Sequence, residues 1–132
     1  MRQVDVAIIG GGPAGLAAAV ELWKKGVRNL VILEREKQLG GILRQCIHDG
    51  FGLRRFKETL SGPEYAQRFI DDVKKQGIEI VTDATVIGLT RDRKGTAASK
   101  DGLLPYQADA VILTMGCRER TRGAVAIPGE RA

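Results

Sequence analysis

An α/β fold built on a largely parallel sheet follows from two observations in the sequence. Four short apolar runs, VDVAIIG (4–10), NLVILE (29–34), IEIV (78–81) and DAVILTMG (109–116), are nearly continuous rather than alternating in polarity. Strands buried on both faces read that way. Between the first two runs lies PAGLAAAVELWKKG, a helix-forming stretch that stops at Gly26 just after Lys24 and Lys25. Strand, helix and strand within roughly thirty residues make one βαβ unit, and its crossover is right-handed.

A second helix is predicted within SGPEYAQRFIDDVKKQG (61–77). Ser61 and Glu64 have capping-box spacing, and Pro63 suits a first helical turn. Tyr65, Phe69, Ile70 and Val73 fall on one face, which is expected to pack on the sheet. After Val81 the pattern changes to TVIGLTRD, GTAASK and LLPYQ, separated by turn signals at Arg93-Lys94-Gly95 and Asp101-Gly102. These predict a small β-meander, with Pro105 marking an edge strand, that returns to the fourth buried strand. RERTRGAVAIPGERA then reads as a loop leaving that strand.

With 132 residues the chain has room for one domain and a real core. Its 43% hydrophobic and 28% charged content fits a soluble globular protein. The net charge of +5 raises the question of nucleic acid, but the 21 Lys and Arg are scattered and aromatics make up only 5%. That leaves little stacking surface, so nucleic-acid binding is not expected. Two cysteines are too few for a disulfide framework, which points to a reducing compartment, the cytoplasm. The apolar start is interrupted by Asp5 and ends in glycines, unlike a signal peptide. No run approaches the roughly 20 apolar residues of a membrane span.

The strongest motif is Gly10-x-Gly12-x-x-Gly15 with Ala19 four residues on, directly after an apolar strand and opening a helix. Gly10 permits the tight turn, Gly12 lets backbone approach a pyrophosphate, and Gly15 with Ala19 lets helix and strand pack closely. The helix N-terminus offers free N–H groups and partial positive charge to phosphates. Glu34, ending the second strand, can accept hydrogen bonds from ribose hydroxyls and would repel a 2′-phosphate. A Rossmann-like dinucleotide site is the expectation; the plainer alternative is a structural turn with a chance glutamate.

GGGPAG (10–15), Glu34, LGG (39–41) and the strand end TMG (114–116) followed by IPGE (127–130) occur here in one order. In these features and in the meander the chain resembles the two-dinucleotide-binding-domain flavoproteins, also called pyridine nucleotide-disulfide oxidoreductases. The resemblance covers nearly all of the chain. It implies FAD, held in its ADP half by Gly10, Gly12, Pro13, Ala14, Gly15 and Glu34, with Arg35 near the adenine or ribose. Gly41 and Ile42 would pass close to the pyrophosphate and flavin side, and Val86 would contact adenine through its backbone. Thr114, Met115 and Gly116 match the strand end that closes over the cofactor. GGILRQCIHDGFG and GCRERTRGA resemble bacterial flavoprotein dehydrogenases, including subunits that act with amine, opine or glycerol-3-phosphate oxidising partners.

Members of the family continue into an NAD(P)H-binding domain and return with a Gly-Asp strand; neither is found in residues 1–132. The resemblance therefore implies the N-terminal FAD-binding part of a longer flavoprotein, or a subunit completed by a partner, in either case not competent for full turnover alone. Disulfide reductases of the family carry a cysteine two residues after the paired glycines and another five beyond. Those positions hold Leu43 and His48, so the redox dithiol is absent.

Cys46 has Arg44 and His48 nearby in sequence, either of which would lower its thiol pKa if close in space. Against this stands a small, semi-buried structural cysteine, and the same holds for Cys117. His48 is a candidate proton donor, or else a structural histidine of a glycine-rich loop. Cys-x-His is too few ligands for zinc, so no metal is expected. Arg118, Arg120 and Arg122 suit a phosphate, an acidic partner or plain solvent, and FGLRRFK (51–57) suits docking of a partner or further domain.

The leading expectation is an FAD-binding domain of an NAD(P)H-linked oxidoreductase, not of the disulfide-reductase type. Its rivals are a non-catalytic nucleotide-binding or electron-transfer subunit dependent on another chain, and an NAD-binding Rossmann domain. The last is disfavoured by the meander and LGG. A homo-oligomer is compatible with every one of these readings.

Overall fold

The computed structural model describes residues 1–45 and 60–116. The predicted βαβ unit is there: β1 (Arg2–Ile9), α1 (Pro13–Lys24) and β2 (Leu30–Leu33), with Val6 opposite Leu30 and Ile9 opposite Leu33 in parallel register. In β1 the N–H groups of Asp5 and Val6 both reach the Asn29 carbonyl, at 2.8 and 3.3 Å, while the register with β6 is the same on either side of Asp5. Val6 and Ile8 join the core beneath the helices, while Val4 and Ala7 join a second core on the other face.

A short 3₁₀ turn (Gly41–Gln45) precedes α2 (Gly62–Gln76). The capping box read from the sequence is formed: the Glu64 N–H donates to Ser61 Oγ at 3.4 Å, and the Ser61 N–H donates to Glu64 Oε1 at 3.2 Å. The Ser61 side chain and backbone together hold the Glu64 carboxyl below its usual range. Gly77 ends the helix in the left-handed conformation, φ +74°. Phe69, Ile70 and Val73 are buried, and Tyr65 meets Phe69 edge-on at 5.3 Å. This face packs chiefly on α1 and the 3₁₀ turn, and shares its core with Ile8, Leu30 and Ile32 of the sheet.

The remaining strands are β3 (Glu79–Val81), β4 (Thr85–Leu89), β5 (Lys94–Ser99) and β6 (Gly102–Leu113), in the order β3-β2-β1-β6-β5-β4. β3, β2, β1 and β6 run parallel, and β6, β5 and β4 form the antiparallel meander. Only residues 82–84 join β3 to β4, which sit at opposite edges. In a flat sheet those edges would lie roughly 24 Å apart, at about 4.8 Å per strand. Four residue steps span at most roughly 14 Å. The sheet therefore curls, and Val86 of β4 packs on the second core of Val4, Ala7, Val31, Leu33, Tyr106 and Ala108. Helices cover one face of the parallel strands and the meander covers the other.

Four expectations are corrected. LLPYQ and DAVILT are not separate strands; β6 runs through both, pairing first with β5 and then with β1. Pro105 accordingly lies in an interior strand, but one residue before the pairing with β1 begins at Tyr106, so it has a neighbour on one side only. The first meander turn falls at residues 91–93, with Arg93 left-handed at φ +65°, and Lys94 and Gly95 belong to β5. A Cβ at Gly95 would overlap the Tyr106 ring, so this glycine serves packing rather than the turn. Lastly, two of the four apolar runs are not buried on both faces: β3 is an edge strand, and Leu113 near the end of its run is 56% exposed.

Among the described residues no helix is long and apolar enough to cross a membrane, and no group of three or more His, Cys, Asp or Glu could hold a metal ion.

Candidate functional site

The carboxyl ends of β1, β2 and β6 meet at the glycine loop, and backbone hydrogen bonds tie them together. The Gly10 N–H donates to the Leu33 carbonyl at 2.9 Å, and the Thr114 N–H to the Ile9 carbonyl at 2.9 Å. Thr114 Oγ1 lies 3.1 and 3.0 Å from the carbonyl oxygens of Ile9 and Gly10 and donates to that pair. Gly10 has φ +109°, and a Cβ there would overlap the Thr114 carbonyl oxygen. A Cβ on Gly15 would overlap the Gly10 carbonyl oxygen and stand 2.7 Å from Thr114 Oγ1. With Ala19 fully buried, α1 sits directly against the strand end, as the motif predicted.

Gly12 is different. It is the N-cap of α1, in extended conformation and with no side-chain cap, and among the described residues a Cβ there would meet only Gly41 Cα, at 3.8 Å. Its carbonyl accepts the Leu16 N–H at 3.0 Å. Pro13 has no N–H, and the N–H groups of Ala14 and Gly15 have no carbonyl one turn back within the helix. The result is an uncapped, partly positive helix start with open space over its first peptide, which suits an anionic group.

The LGG segment closes on this loop from the side. The Gly40 N–H donates to the Gly11 carbonyl at 2.8 Å, and a Cβ on Gly41 would stand 3.1 Å from Gly12 Cα. Leu39 and Leu43 are buried in the helix-side core, with Leu39 lying over Gly11. Ile42 is 62% exposed.

Glu34 is the only buried charged residue among those described, 7% exposed. Its Oε1 accepts from the Gly11 N–H at 2.9 Å and its Oε2 from the Glu36 N–H at 2.8 Å. Its backbone is bonded on both sides: the N–H to the Val81 carbonyl and the carbonyl from the Ala84 N–H, each at 2.9 Å. The Asp83 N–H reaches the Glu36 carbonyl at 3.0 Å, so the 82–84 link lies along this end, two residues before Val86. Arg35 is exposed beside Glu36, with 3.6 Å between Nε and Oε1.

Of the residues singled out in the sequence, the structure thus brings together Gly10, Gly12, Pro13, Ala14, Gly15, Glu34 and Gly41, and stitches Thr114 to them. Met115 is 65% exposed and Gly116 has φ +67°, just past that stitch. Cys46, His48, FGLRRFK, Cys117, the three arginines after it and IPGE lie outside the described residues. Gly11 and Leu39 lie within the GGGPAG and LGG motifs, but the sequence assigned neither a role of its own. The run of three glycines and the apolar residue before Gly40 were their only local signals.

The βαβ unit with its glycine turn, the curled sheet and the returning meander define a Rossmann-like α/β domain. Residues 4–130 match the family described as Pyridine nucleotide-disulphide oxidoreductase, and the chain belongs to that family of flavoprotein oxidoreductases. It is 31% identical to hydrogen cyanide synthase subunit HcnB of Pseudomonas protegens, over 96% of this chain and 27% of that protein. It is 32% identical to one of the subunits of opine oxidase from Agrobacterium tumefaciens, over 88% of this chain and 24% of that protein. The structure of thioredoxin reductase from Streptococcus pyogenes aligns with a TM-score of 0.71 at 26% identity, over 90% of this chain and 37% of that one. The chain therefore spans about a quarter of the length of these two curated relatives.

Proposed function

We propose that residues 1–132 form the FAD-binding domain of an NAD(P)H-linked flavoprotein oxidoreductase that is not of the disulfide-reductase type. The observation that carries this reading is the contrast within the glycine loop. At Gly10 and Gly15 the protein's own backbone occupies the space a side chain would need, while among the described residues Gly12 opens onto space beside an uncapped helix start. A pyrophosphate needs that combination of close backbone approach and unpaired N–H groups. Gly12, Ala14 and Gly15 would hold it, with Pro13 setting the first helical turn and Gly41 lining the other side. The Glu34 carboxylate has lone pairs left for ribose hydroxyls, since each of its oxygens accepts one N–H. Arg35 and the backbone at Val86 would flank the adenosine end, and Ile42, Thr114, Met115 and Gly116 the flavin end.

FAD is favoured over NAD by the meander and by LGG packed on the loop. When bound, flavin supplies the hydride chemistry; the protein supplies position and electrostatics. Leu43 stands where the first thiol of a redox pair would be, and it is buried in the core. The loop after Gly41 thus contributes no dithiol. The two curated relatives named as subunits favour a second reading, in which the domain works within a larger enzyme beside a dehydrogenase partner chain. A cytoplasmic setting goes with either reading.

The test is cofactor content. The purified chain should bind FAD and show its visible absorption band, and Gly12→Val should abolish binding. Flavin or ADP affinity that survives Gly12→Val would overturn the assignment. Reduction of bound flavin by NADH with this chain alone would overturn the need for a second nucleotide site.

A further inference from the structure

Glu34 enters the nucleotide-site reading as a ribose acceptor, yet the structure gives its carboxylate a different task. Both oxygens are already engaged, Oε1 with the Gly11 N–H and Oε2 with the Glu36 N–H. The Gly11 peptide is also held from its other side, because its carbonyl accepts the Gly40 N–H. Gly11 is followed directly by Gly12, the residue whose surroundings are open. The position of the Gly12 peptide and of the α1 N–H groups therefore depends on how firmly Gly11 is fixed.

We propose that Glu34 is a positioning residue of the glycine loop. Its buried carboxylate anchors the Gly11 peptide and so sets where the Gly12, Ala14 and Gly15 N–H groups stand before any ribose arrives. This rests on the nucleotide-site reading above. Chemistry requires a carboxylate here, because an ionised carboxyl is acceptor-only and can take an N–H on each oxygen. A glutamine of equal length has one acceptor oxygen, and its amide would turn N–H donors toward one of the two backbone N–H groups. One bond is then lost and a buried donor left unpaired. Ribose recognition and phosphate recognition are thereby coupled through one side chain: the oxygens that would meet the ribose also hold the loop that meets the phosphate.

The experiment uses the full chain in two arms. In the first, amide hydrogen exchange is followed without nucleotide. Gly11 should exchange at least about tenfold more slowly than Gly12, whose N–H has no partner among the described residues. Equal rates at Gly11 and Gly12 would overturn the anchor without recourse to any variant. In the second, ADP and adenosine affinities are compared for the unsubstituted chain and Glu34→Gln. A displaced loop should weaken ADP about tenfold more than adenosine. Loss of folded protein would lower both apparent affinities alike, so the ratio separates positioning from general damage. Equal losses for ADP and adenosine in a Glu34→Gln chain whose circular dichroism matches that of the unsubstituted chain would show a carboxylate that acts on the ribose alone, and would overturn the positioning role. If ADP fails to bind the unsubstituted chain, the nucleotide reading falls and the positioning role with it. If ADP binds while Gly11 exchanges as fast as Gly12, only the positioning role falls.

Discussion

The glycine loop after β1 and the start of β5 both place glycine against a close neighbour, and the neighbours differ in kind. At Gly10 and Gly15 the neighbour is backbone: the Thr114 and Gly10 carbonyls occupy the space a side chain would need. At Gly95 the neighbour is the Tyr106 ring, which lies over β5 from the adjacent strand. Gly12 has no such neighbour among the described residues. One residue type thus serves chain geometry, ring packing and an open approach surface at three places. Substitution should separate the three, because backbone cannot yield, a ring can partly yield, and open space asks nothing of the fold.

The largest effect belongs to Gly15→Ala. A methyl group there has only the Gly10 carbonyl and Thr114 Oγ1 to push against, so stability should fall by about 3 kcal/mol, read from urea unfolding. A loss under about 1 kcal/mol would mean that α1 can slide off the strand end. Gly12→Val comes next and should act on binding instead. It should abolish ADP binding, while stability changes by no more than about 1 kcal/mol, the scale of an N-cap substitution. Comparable destabilisation by the two substitutions would erase the contrast between filled and open glycines.

Much of this arrangement is legible along the chain. The βαβ unit, the capping box of α2 and the glycine motif are local patterns, each confined to a few turns of sequence. What is not legible is long-range. Gly95 next to Arg93 and Lys94 has the look of a turn glycine, and its actual partner, Tyr106, is eleven residues away on β6. The Glu34–Gly11 bond joins residues 23 apart, and nothing in either neighbourhood specifies it. The fusion of LLPYQ with DAVILT was hidden by Pro105, whose missing N–H suggested an edge. The proline is tolerated because β1 has not yet begun to pair at that point.

Two smaller effects sharpen the contrast on the meander side. Gly95→Ala should cost about 2 kcal/mol, and the cost should shrink in a Tyr106→Leu background, a coupling measurable by a double-mutant cycle. Additive losses would show that the ring is not the obstacle. Tyr106→Phe should stabilise by about 1 kcal/mol, since the buried Tyr106 hydroxyl has no hydrogen-bond partner among the described residues. Burial also raises the Tyr106 pKa above its ordinary value of 10.0. The folded state then holds its phenolic proton longer than the unfolded state does. That contribution is complete below pH 10 and is lost as pH rises through the raised folded value. Stability of Tyr106→Phe should accordingly decline less steeply above pH 10, and an unchanged alkaline slope would count against a buried, unpaired phenol.

The central claim is that the open glycine loop, with Glu34 and LGG around it, receives FAD. Calorimetric titration of FAD into the unsubstituted full chain, repeated with ADP and with NAD as competitors, tests it most directly. The predicted result is saturable FAD binding that ADP displaces and NAD displaces poorly. Binding of NAD in preference to FAD, or FAD binding that ADP leaves untouched, would contradict it.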